Sequence, residues 1–256
     1  MEPLLEVKNL TKIFDLGGKI KITAADAVSF RLYPHETLGI VGESGSGKTT
    51  VAKVITGLAP VSSGAIFLHG KEITHLKGRE RRGVYGEMQM VFQSPAASFD
   101  PRRTLGDGIG ESLRNRGMSR RESQKIAAAL LKQCGLPGEY ISRYPHEVSG
   151  GQCQRAAIAR ALAIGPKLLI CDEATSALDV TVQKQILELL RDLKERYGMA
   201  YLFICHDLAL VQSFCDRVLV MDGGRIVEEG TPDEVISNPQ GKAARRLVEA
   251  ASYFMN

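Results

Sequence analysis

Polar and apolar residues alternate in the first third of the chain, which is the pattern of half-buried β-strands. Residues 4–14 and 22–32 have this pattern, are separated by Asp15-Leu-Gly-Gly, and therefore predict two strands. The segment Tyr33-Pro-His-Glu that follows predicts a hairpin turn. The apolar run 37–41 then predicts a short buried strand that leads directly into a glycine-rich loop.

Helical periodicity dominates the middle of the chain. Residues 48–58, directly after the glycine-rich loop, place their apolar side chains on one helix face. From about residue 100 to residue 136 the strand patterns disappear and helix-forming residues prevail. Within this stretch, residues 119–134 predict a helix whose first turn carries a capping box of Ser119 and Glu122.

After residue 150 the pattern alternates again between helices and strands. The segment 168–172 is apolar up to its last residue, Asp172, and the segment 200–205 is apolar throughout, as suits strands of a parallel sheet buried on both faces. Shorter strands are predicted at 217–222 and 224–230, before helical pieces that continue to the end. The pattern as a whole predicts an α/β core interrupted by a mostly helical insertion.

Composition limits the class of protein. The 256 residues are 44% hydrophobic and 24% charged, with a formal net charge of +4, which is an ordinary globular balance and too mild to indicate nucleic acid. No run approaches the roughly 18 to 20 apolar residues of a membrane-spanning helix, and the N-terminus lacks the pattern of a secretory signal. The basic stretch from Lys77 to Gly83 is interpreted as a solvated surface, with a phosphate-binding patch as the less favoured alternative. The five scattered cysteines predict buried thiols in a reducing compartment.

The glycine-rich loop carries the most specific motif. Residues 42–49 read Gly-Glu-Ser-Gly-Ser-Gly-Lys-Thr, which fits G-x-x-x-x-G-K-[ST] between a strand and a helix. Backbone N–H groups of such a loop surround phosphate, Lys48 reaches the β- and γ-phosphates, and the Thr49 hydroxyl binds Mg²⁺. The residues predicted to contact the nucleotide here are Gly42, Glu43, Ser44, Gly45, Ser46, Gly47, Lys48, Thr49 and Thr50.

Two adjacent acids supply a second part of a nucleotide triphosphatase. Asp172 and Glu173 follow the apolar run 168–171 and so stand at the end of a predicted buried strand. Asp172 is predicted to bind the Mg²⁺ that Thr49 also holds. Glu173 is predicted to act as the general base on the attacking water. The sequence therefore predicts hydrolysis of the nucleotide as well as its binding.

A third motif identifies a family. Val148 is followed by Ser149-Gly-Gly-Gln152, which opens a predicted helix and resembles the L-S-G-G-Q signature of the ATP-binding cassette (ABC) ATPases. A helix N-terminus with serine and glycine N–H groups again suits an anion. The resemblance implies that two cassettes pair head to tail, so that Ser149, Gly150, Gly151 and Gln152 contact ATP held by the partner's phosphate loop.

The same resemblance assigns roles to four further residues. Gln93 resembles the Q-loop glutamine, a ligand of Mg²⁺ that also contacts the attacking water, and Asp179 resembles the last residue of the D-loop, Ser176-Ala-Leu-Asp. His206 resembles the histidine that contacts the γ-phosphate, with a buried structural histidine as the alternative. Phe14 resembles the aromatic residue that stacks on adenine, although an ordinary core aromatic would also explain it.

The resemblance further implies the fold and the domain plan. The expected fold is an α/β P-loop NTPase cassette with a RecA-like core, an N-terminal antiparallel β-subdomain and an inserted helical subdomain. One ABC ATPase domain would span residues 1–256, with residues 1–97 and 150–256 in the core and β-subdomain and residues 98–149 in the helical subdomain. ATP and Mg²⁺ are the expected cofactors.

Three segments resemble one branch of the family. The run from Gln93 to Arg102 resembles the oligopeptide, dipeptide and nickel importers, as do residues 143–147 and Gly230-Thr-Pro-Asp-Glu. The implied partners are a second, non-identical cassette, two permease subunits and an extracytoplasmic binding protein, with no nucleic acid. The implied location is the cytoplasmic face of the membrane. Peptide is the favoured cargo, with nickel as the alternative, and an exporter cassette or a non-transport ABC ATPase remain less favoured hypotheses.

Overall fold

Two β-sheets with helices between and around them form the protein in the computed structural model. The structure describes residues 1–15, 17, 20–176 and 178–253, and gives no side-chain description for 251–253. Leu16 and Gly18 of the predicted turn between the first two strands lie outside these residues. The strands are β1 (Leu5–Asp15), β2 (Lys21–Leu32), β3 (Thr37–Val41), β4 (Ser63–Leu68), β5 (Lys71–Glu72), β6 (Met88–Val91), β7 (Leu168–Asp172), β8 (Ala200–Ile204), β9 (Arg217–Asp222) and β10 (Arg225–Gly230).

The helices occupy the loops between strands and the C-terminal part of the chain. They are α1 (Lys48–Ile55), α2 (Gly78–Glu87), α3 (Leu105–Ile109), α4 (Glu111–Arg114), α5 (Arg120–Gln133), α6 (Gly150–Leu162), α7 (Val180–Tyr197), α8 (Leu208–Phe214), α9 (Pro232–Ser237) and α10 (Lys242–Tyr253). Short 3-10 helices span Ala96–Ser98, Gly138–Ser142 and Pro145–Glu147. Within the described part of the chain, no helix is long and apolar enough to span a bilayer.

The six-stranded sheet has the order β10-β9-β3-β8-β7-β6, with β10 antiparallel and the other neighbouring pairs parallel. Every residue of β3, β7 and β8 is buried, because helices or strands cover both faces. Parallel β3 and β7 flank β8 and therefore end at the same edge of the sheet. That edge places the loop after Val41 beside Asp172.

The four-stranded sheet has the order β2-β1-β4-β5 and is antiparallel. Its apolar face and the six-stranded sheet enclose α1 in one hydrophobic core, to which Leu5, Ile55 and Ile170 contribute from the three layers. A second core, on the other face of the six-stranded sheet, buries α6, α7 and α8. The expected fold, an antiparallel N-terminal sheet on an α/β core, is the one observed.

The segment between β6 and β7 forms the helical insertion. Among its described residues, 92–167, the regular elements are all helical. The capping box predicted at Ser119 and Glu122 is present at the start of α5. Helix α6 contacts α5 on one side and β6 and α7 on the other, so the boundaries drawn at residues 98 and 149 stay a prediction.

Two sequence-based predictions were wrong in detail. The turn at Tyr33–Glu36 is not a hairpin, because β2 belongs to the antiparallel sheet and β3 to the six-stranded sheet. The basic stretch from Lys77 is not solvated throughout. Its Arg81 is buried and donates to the carbonyl oxygens of Ile73, at 3.0 Å, and Ile55, at 3.1 Å, which ties α2 to the core.

Candidate active site

The phosphate loop connects β3 to α1, as its motif predicts. A buried apolar strand ends at Val41, and the loop bends tightly before α1 starts at Lys48. The bend requires glycine at position 47, where φ is +103° and an added Cβ would lie 2.1 Å from the Ala24 carbonyl oxygen. Glu43, Ser44 and Gly45 are exposed at the tip of the loop. The predicted loop residues thus form one continuous surface turn at a helix N-terminus.

The Lys48 ammonium lies inside this turn. It donates to the carbonyl oxygens of Gly42, at 2.7 Å, and Glu43, at 2.8 Å, and lies 3.5 Å from the Ser46 hydroxyl. Burial lowers the pKa of Lys48, and the nearby carboxylates of Glu173 and Asp172 oppose that shift. Because neutral carbonyl oxygens hold this buried ammonium, an anionic ligand would stabilise its charged form further.

Thr49 and Asp172 form the centre of the candidate metal site. The Thr49 hydroxyl donates to Oδ1 of Asp172 at 2.9 Å. Burial raises the pKa of Asp172, and the hydrogen bond from Thr49 lowers it in part. A hydroxyl beside a partly desolvated carboxylate is an oxygen donor set that suits Mg²⁺. Among the described residues, no hydrogen bond joins Gln93, the third predicted ligand, to either of them.

The predicted hydrolytic residues lie together beside this pair. The Gln93 amide donates to Oε2 of Glu173 at 2.7 Å, and its nitrogen lies 3.4 Å from the Ser176 hydroxyl. The Nδ1 atom of His206 lies 3.8 Å from Oε1 of Glu173. His206 is not a buried structural histidine, since its side chain is 58% exposed. The structure thus brings Gln93, Glu173 and His206 into one cluster.

The backbone of Glu173 has a left-handed conformation that is rare for this residue type. Its φ is +46°, and such a conformation costs on the order of 1 kcal/mol or more for a residue with a Cβ. Two backbone hydrogen bonds hold it, from Glu173 N–H to the Ile204 carbonyl at 2.9 Å and from Ser176 N–H to the Glu173 carbonyl at 3.1 Å. The strain turns the carboxylate toward Gln93 and His206 directly at the end of β7.

The signature residues form a separate helix N-terminus. Ser149 caps α6 and makes a capping box with Gln152. Gly151 is packed tightly, because an added Cβ would lie 2.6 Å from Cγ1 of Val182 on α7. No hydrogen bond between described residues joins residues 149–152 to residues 42–50.

The remaining two predicted residues, Asp179 and Phe14, make only local contacts among those described here. Asp179 caps α7 by accepting from the Val182 N–H at 3.0 Å, while Ala177 of the predicted D-loop lies outside the described residues. Phe14 is 38% exposed on β1, so it is not an ordinary core aromatic. The Lys12 ammonium lies 4.8 Å from the centroid of the Phe14 ring, which is a cation–π distance.

Sequence reasoning missed the supports of the phosphate loop. The Gly224 N–H donates to the Ser46 carbonyl at 3.0 Å, and an added Cβ at Gly42 would lie 2.3 Å from the Met221 carbonyl oxygen. The turn between β9 and β10 therefore packs against the loop. No local signal marks these contacts, because the partners are far apart along the chain.

Comparison with known proteins identifies the family. Residues 25–176, more than half of the chain, match the family model described as ABC transporter. The oligopeptide transport ATP-binding protein OppF of Escherichia coli is 49% identical over 96% of this chain and 77% of its own length. The glutathione import ATP-binding protein GsiA of E. coli is 45% identical over 97% of this chain, which spans 41% of that relative.

Solved structures support the same fold. The dimeric ATP-binding cassette MJ0796, in a post-hydrolysis state bound to ADP and phosphate, has a TM-score of 0.81 at 29% identity. That match covers 89% of this chain and 98% of the other. CbiO1 of Clostridium perfringens, part of the transporter complex cbiONQ, also has a TM-score of 0.81, at 27% identity over 100% of both chains.

Proposed function

This chain belongs to the ABC transporter family, and we propose that it is the ATP-hydrolysing cassette of an importer that takes up small peptides through a separate permease. As a member of the family it is an ATPase. One observation carries the proposal for its chemistry. The carboxylate of Glu173, held 2.7 Å from Gln93, lies next to the Asp172–Thr49 pair at the mouth of the phosphate loop.

Nucleotide binding starts with Lys48. Its ammonium exchanges the carbonyl oxygens of Gly42 and Glu43 for β- and γ-phosphate oxygens, which offsets the burial that lowers its pKa. The N–H groups at the start of α1 bind the same phosphates. Thr49, Asp172 and Gln93 would hold Mg²⁺, which stabilises negative charge on the phosphate oxygens. Phe14 packs against the adenine ring.

Hydrolysis needs a base at the γ-phosphate, and Glu173 supplies it. As water attacks the γ-phosphorus, the carboxylate accepts a proton and the bond between phosphorus and ADP breaks, which gives ADP and phosphate. Gln93 keeps the carboxylate oriented through its 2.7 Å hydrogen bond. His206, exposed beside Glu173, contacts the γ-phosphate and so aligns the reacting group.

The signature helix serves a second cassette. The first N–H groups of α6 have no acceptor within the helix itself, and Ser149 accepts from only one of them, that of Gln152. The N–H groups of Gly150 and Gly151 are the ones proposed to face an anion. We propose that residues 149–152 contact ATP on the partner's phosphate loop, with Asp179 at the junction between the two chains. ATP then holds the pair together, and hydrolysis releases it. The partner is proposed to be a non-identical cassette.

A groove beside the Gln93 segment supports docking of a permease. Its volume is about 370 Å³, and it lies between α2, β6, α4 and α6, with Tyr85, Gln89, Glu111 and Arg160 in its lining. The run that starts at Gln93 resembles peptide and nickel importers and begins directly after β6. The proposed partners are two permease subunits and an extracytoplasmic binding protein, and nucleic acid is not among them. The proposed location is the cytoplasmic face of the membrane.

Peptide is the proposed cargo because the names of two relatives refer to the transport of peptides. OppF is named for oligopeptide transport, and GsiA for import of glutathione, itself a small peptide. The test compares uptake of a labelled dipeptide and of radioactive nickel in cells that carry the wild-type chain or Glu173→Gln. If Glu173→Gln abolishes only peptide uptake, the proposal is supported. If it abolishes only nickel uptake, nickel and not peptide is the cargo. If neither uptake changes, the chain does not power import.

A further inference from the structure

The C-terminal helix α10 is fastened to the core on the side of the phosphate loop. Ala243 and Ala244 are buried in the core on its inner face. The Glu228 carboxylate on β10 accepts from the N–H groups of Gln240, at 3.0 Å, and Gly241, at 2.8 Å, just before the helix begins. These contacts fix the position of the helix and hence of the polar side chains that it carries.

One of those side chains reaches the phosphate loop. The Nε atom of Arg246 lies 3.3 Å from Oε1 of Glu43, the second residue of the loop. Its Nη2 atom donates to Oδ2 of Asp222 at 3.2 Å. A single guanidinium therefore joins the loop to the end of β9.

The second partner belongs to the turn that supports the loop. Asp222 ends β9 and is followed by the turn from which Gly224 donates to the Ser46 carbonyl at 3.0 Å. The preceding residue, Met221, packs its carbonyl against Gly42. Arg246 thus contacts both the phosphate loop, at Glu43, and the strand end before the turn that packs against the loop, at Asp222.

The charge of Glu43 gives this connection a consequence for nucleotide binding. Glu43 is the one acidic residue in the segment 42–50, and its backbone carbonyl is 2.8 Å from the Lys48 ammonium. A carboxylate so near a triphosphate site repels the ligand, whereas a guanidinium paired with it offsets that repulsion. Both side chains are about half exposed, so the effect is modest and sensitive to salt.

We propose that Arg246 is a positioning residue for nucleotide binding, which acts by pairing with Glu43 and by tying the phosphate loop to the turn after β9. The inference rests on the proposed binding of nucleotide by the loop at residues 42–50. It adds a residue of the C-terminal helix to the determinants of nucleotide affinity.

The test measures Mg-ADP affinity of the full chain by calorimetry, at about 20 mM and 300 mM salt. Arg246→Gln is expected to weaken binding about threefold to fivefold at low salt, with a smaller effect at high salt. Arg246→Lys keeps the charge and is expected to restore part of the affinity. In ATP hydrolysis, Arg246→Gln should raise KM and leave kcat nearly unchanged.

Arg245→Gln is the matched control. Arg245 lies on the same helix, but its guanidinium bonds the carbonyl oxygens of Pro239 and Gln240 rather than the phosphate loop. Its replacement is expected to leave the ADP Kd unchanged. An equal loss of affinity in both variants, together with an equal fall in Tm, would mean that helix stability and not the pair with Glu43 sets the effect, and would overturn the proposal.

A double-mutant cycle separates the pair from other effects. In a Glu43→Gln background the charge to be offset is gone, so adding Arg246→Gln should change the ADP Kd by less than about twofold. A full loss in that background, or no loss from Arg246→Gln in the wild-type chain at either salt concentration, contradicts the proposal. Lys48→Ala tests the premise separately, because retained ADP binding in that variant would refute nucleotide binding by the loop itself.

Discussion

The phosphate loop and the start of α6 are both glycine-rich helix N-termini, yet they differ in how far the chain completes them. Around the loop, Lys48 is held by the carbonyl oxygen of Gly42 and Thr49 donates to Asp172. Glu173, the next residue, accepts from Gln93. At α6, Ser149 contacts its own helix, and Gly151 packs against Val182 of α7. The phosphate loop therefore has most of the predicted site residues around it within this chain. The start of α6 makes its contacts within its own helix and with α7.

This difference teaches what a single cassette can do alone. In the proposed mechanism, the residues around the loop provide nucleotide binding and the chemical groups for hydrolysis within one chain. In the proposed mechanism the signature, residues 149–152, acts on a nucleotide that a second cassette presents, and in the described part of the chain no hydrogen bond joins it to the loop. Binding and turnover should therefore respond separately to changes in the two regions.

The largest expected effect is at the base. Glu173→Gln should reduce ATP hydrolysis by about 100-fold to 1000-fold, since an amide cannot accept the proton from water, while ATP binding persists. Steady-state phosphate release and ATP binding are the measurements. Glu195→Gln, an exposed glutamate on α7, is the control and should hydrolyse normally. Wild-type turnover in Glu173→Gln would refute the assignment of the base.

Ser149→Ala tests the other region. It should lower ATP hydrolysis by about tenfold or more by removing a polar group aimed at the partner's nucleotide. The ADP Kd of the isolated chain should stay unchanged. Ser119→Ala is a matched control, because Ser119 makes the same kind of capping box on α5 and its loss costs a similar ~1 kcal/mol of stability. Equal hydrolysis in the two variants would remove the distinction between the regions.

Phe14→Ala sharpens the picture of the loop side. If Phe14 packs on adenine, its removal should weaken ADP binding about tenfold, whereas Phe14→Tyr should bind normally. Phe67→Ala is the control, because Phe67 lies on the same sheet with the Lys8 ammonium 4.7 Å from its ring centroid. Calorimetry would detect either outcome, and unchanged affinity in Phe14→Ala would contradict the stacking role.

The smallest effect concerns stability. Asp172→Asn should raise Tm by about 2–4 °C without nucleotide or metal, because the amide keeps an acceptor for Thr49 and removes a partly buried charge. Burial raises the pKa of Asp172 in the folded chain. The buried negative charge therefore lowers the free energy of unfolding by its full amount at pH values above that raised pKa. The penalty disappears below the ordinary value of 3.8. The difference in Tm between Asp172→Asn and the wild-type chain should therefore become smaller as pH falls. A difference that does not change with pH would contradict burial of the Asp172 charge as its cause.

Sequence reasoning was most successful where pattern and motif coincide. The segments 37–41 and 168–172 are mainly apolar strands that end at chemical motifs, and both strands have the predicted bounds. Because such strands are parallel and share an edge, the contact between Thr49 and Asp172 could be expected from the sequence.

It was least successful where the partner is distant along the chain. The buried Arg81 side chain donates hydrogen bonds to carbonyl oxygens of two other segments. The turn at residues 33–36 joins two different sheets. Neither feature has a local signature, since side-chain burial and sheet membership depend on the tertiary fold. The contact of Arg246 with Glu43 is hidden for the same reason.

Photo-crosslinking from position 149 tests the central claim most directly. A photoreactive residue replaces Ser149 in membranes that contain the complete transporter, with Glu173→Gln present to slow hydrolysis. The account predicts a crosslink to a second cassette that forms with ATP and is lost with ADP. A crosslink within the same chain, or one between cassettes that forms equally without ATP, would contradict the claim that two chains complete each nucleotide site.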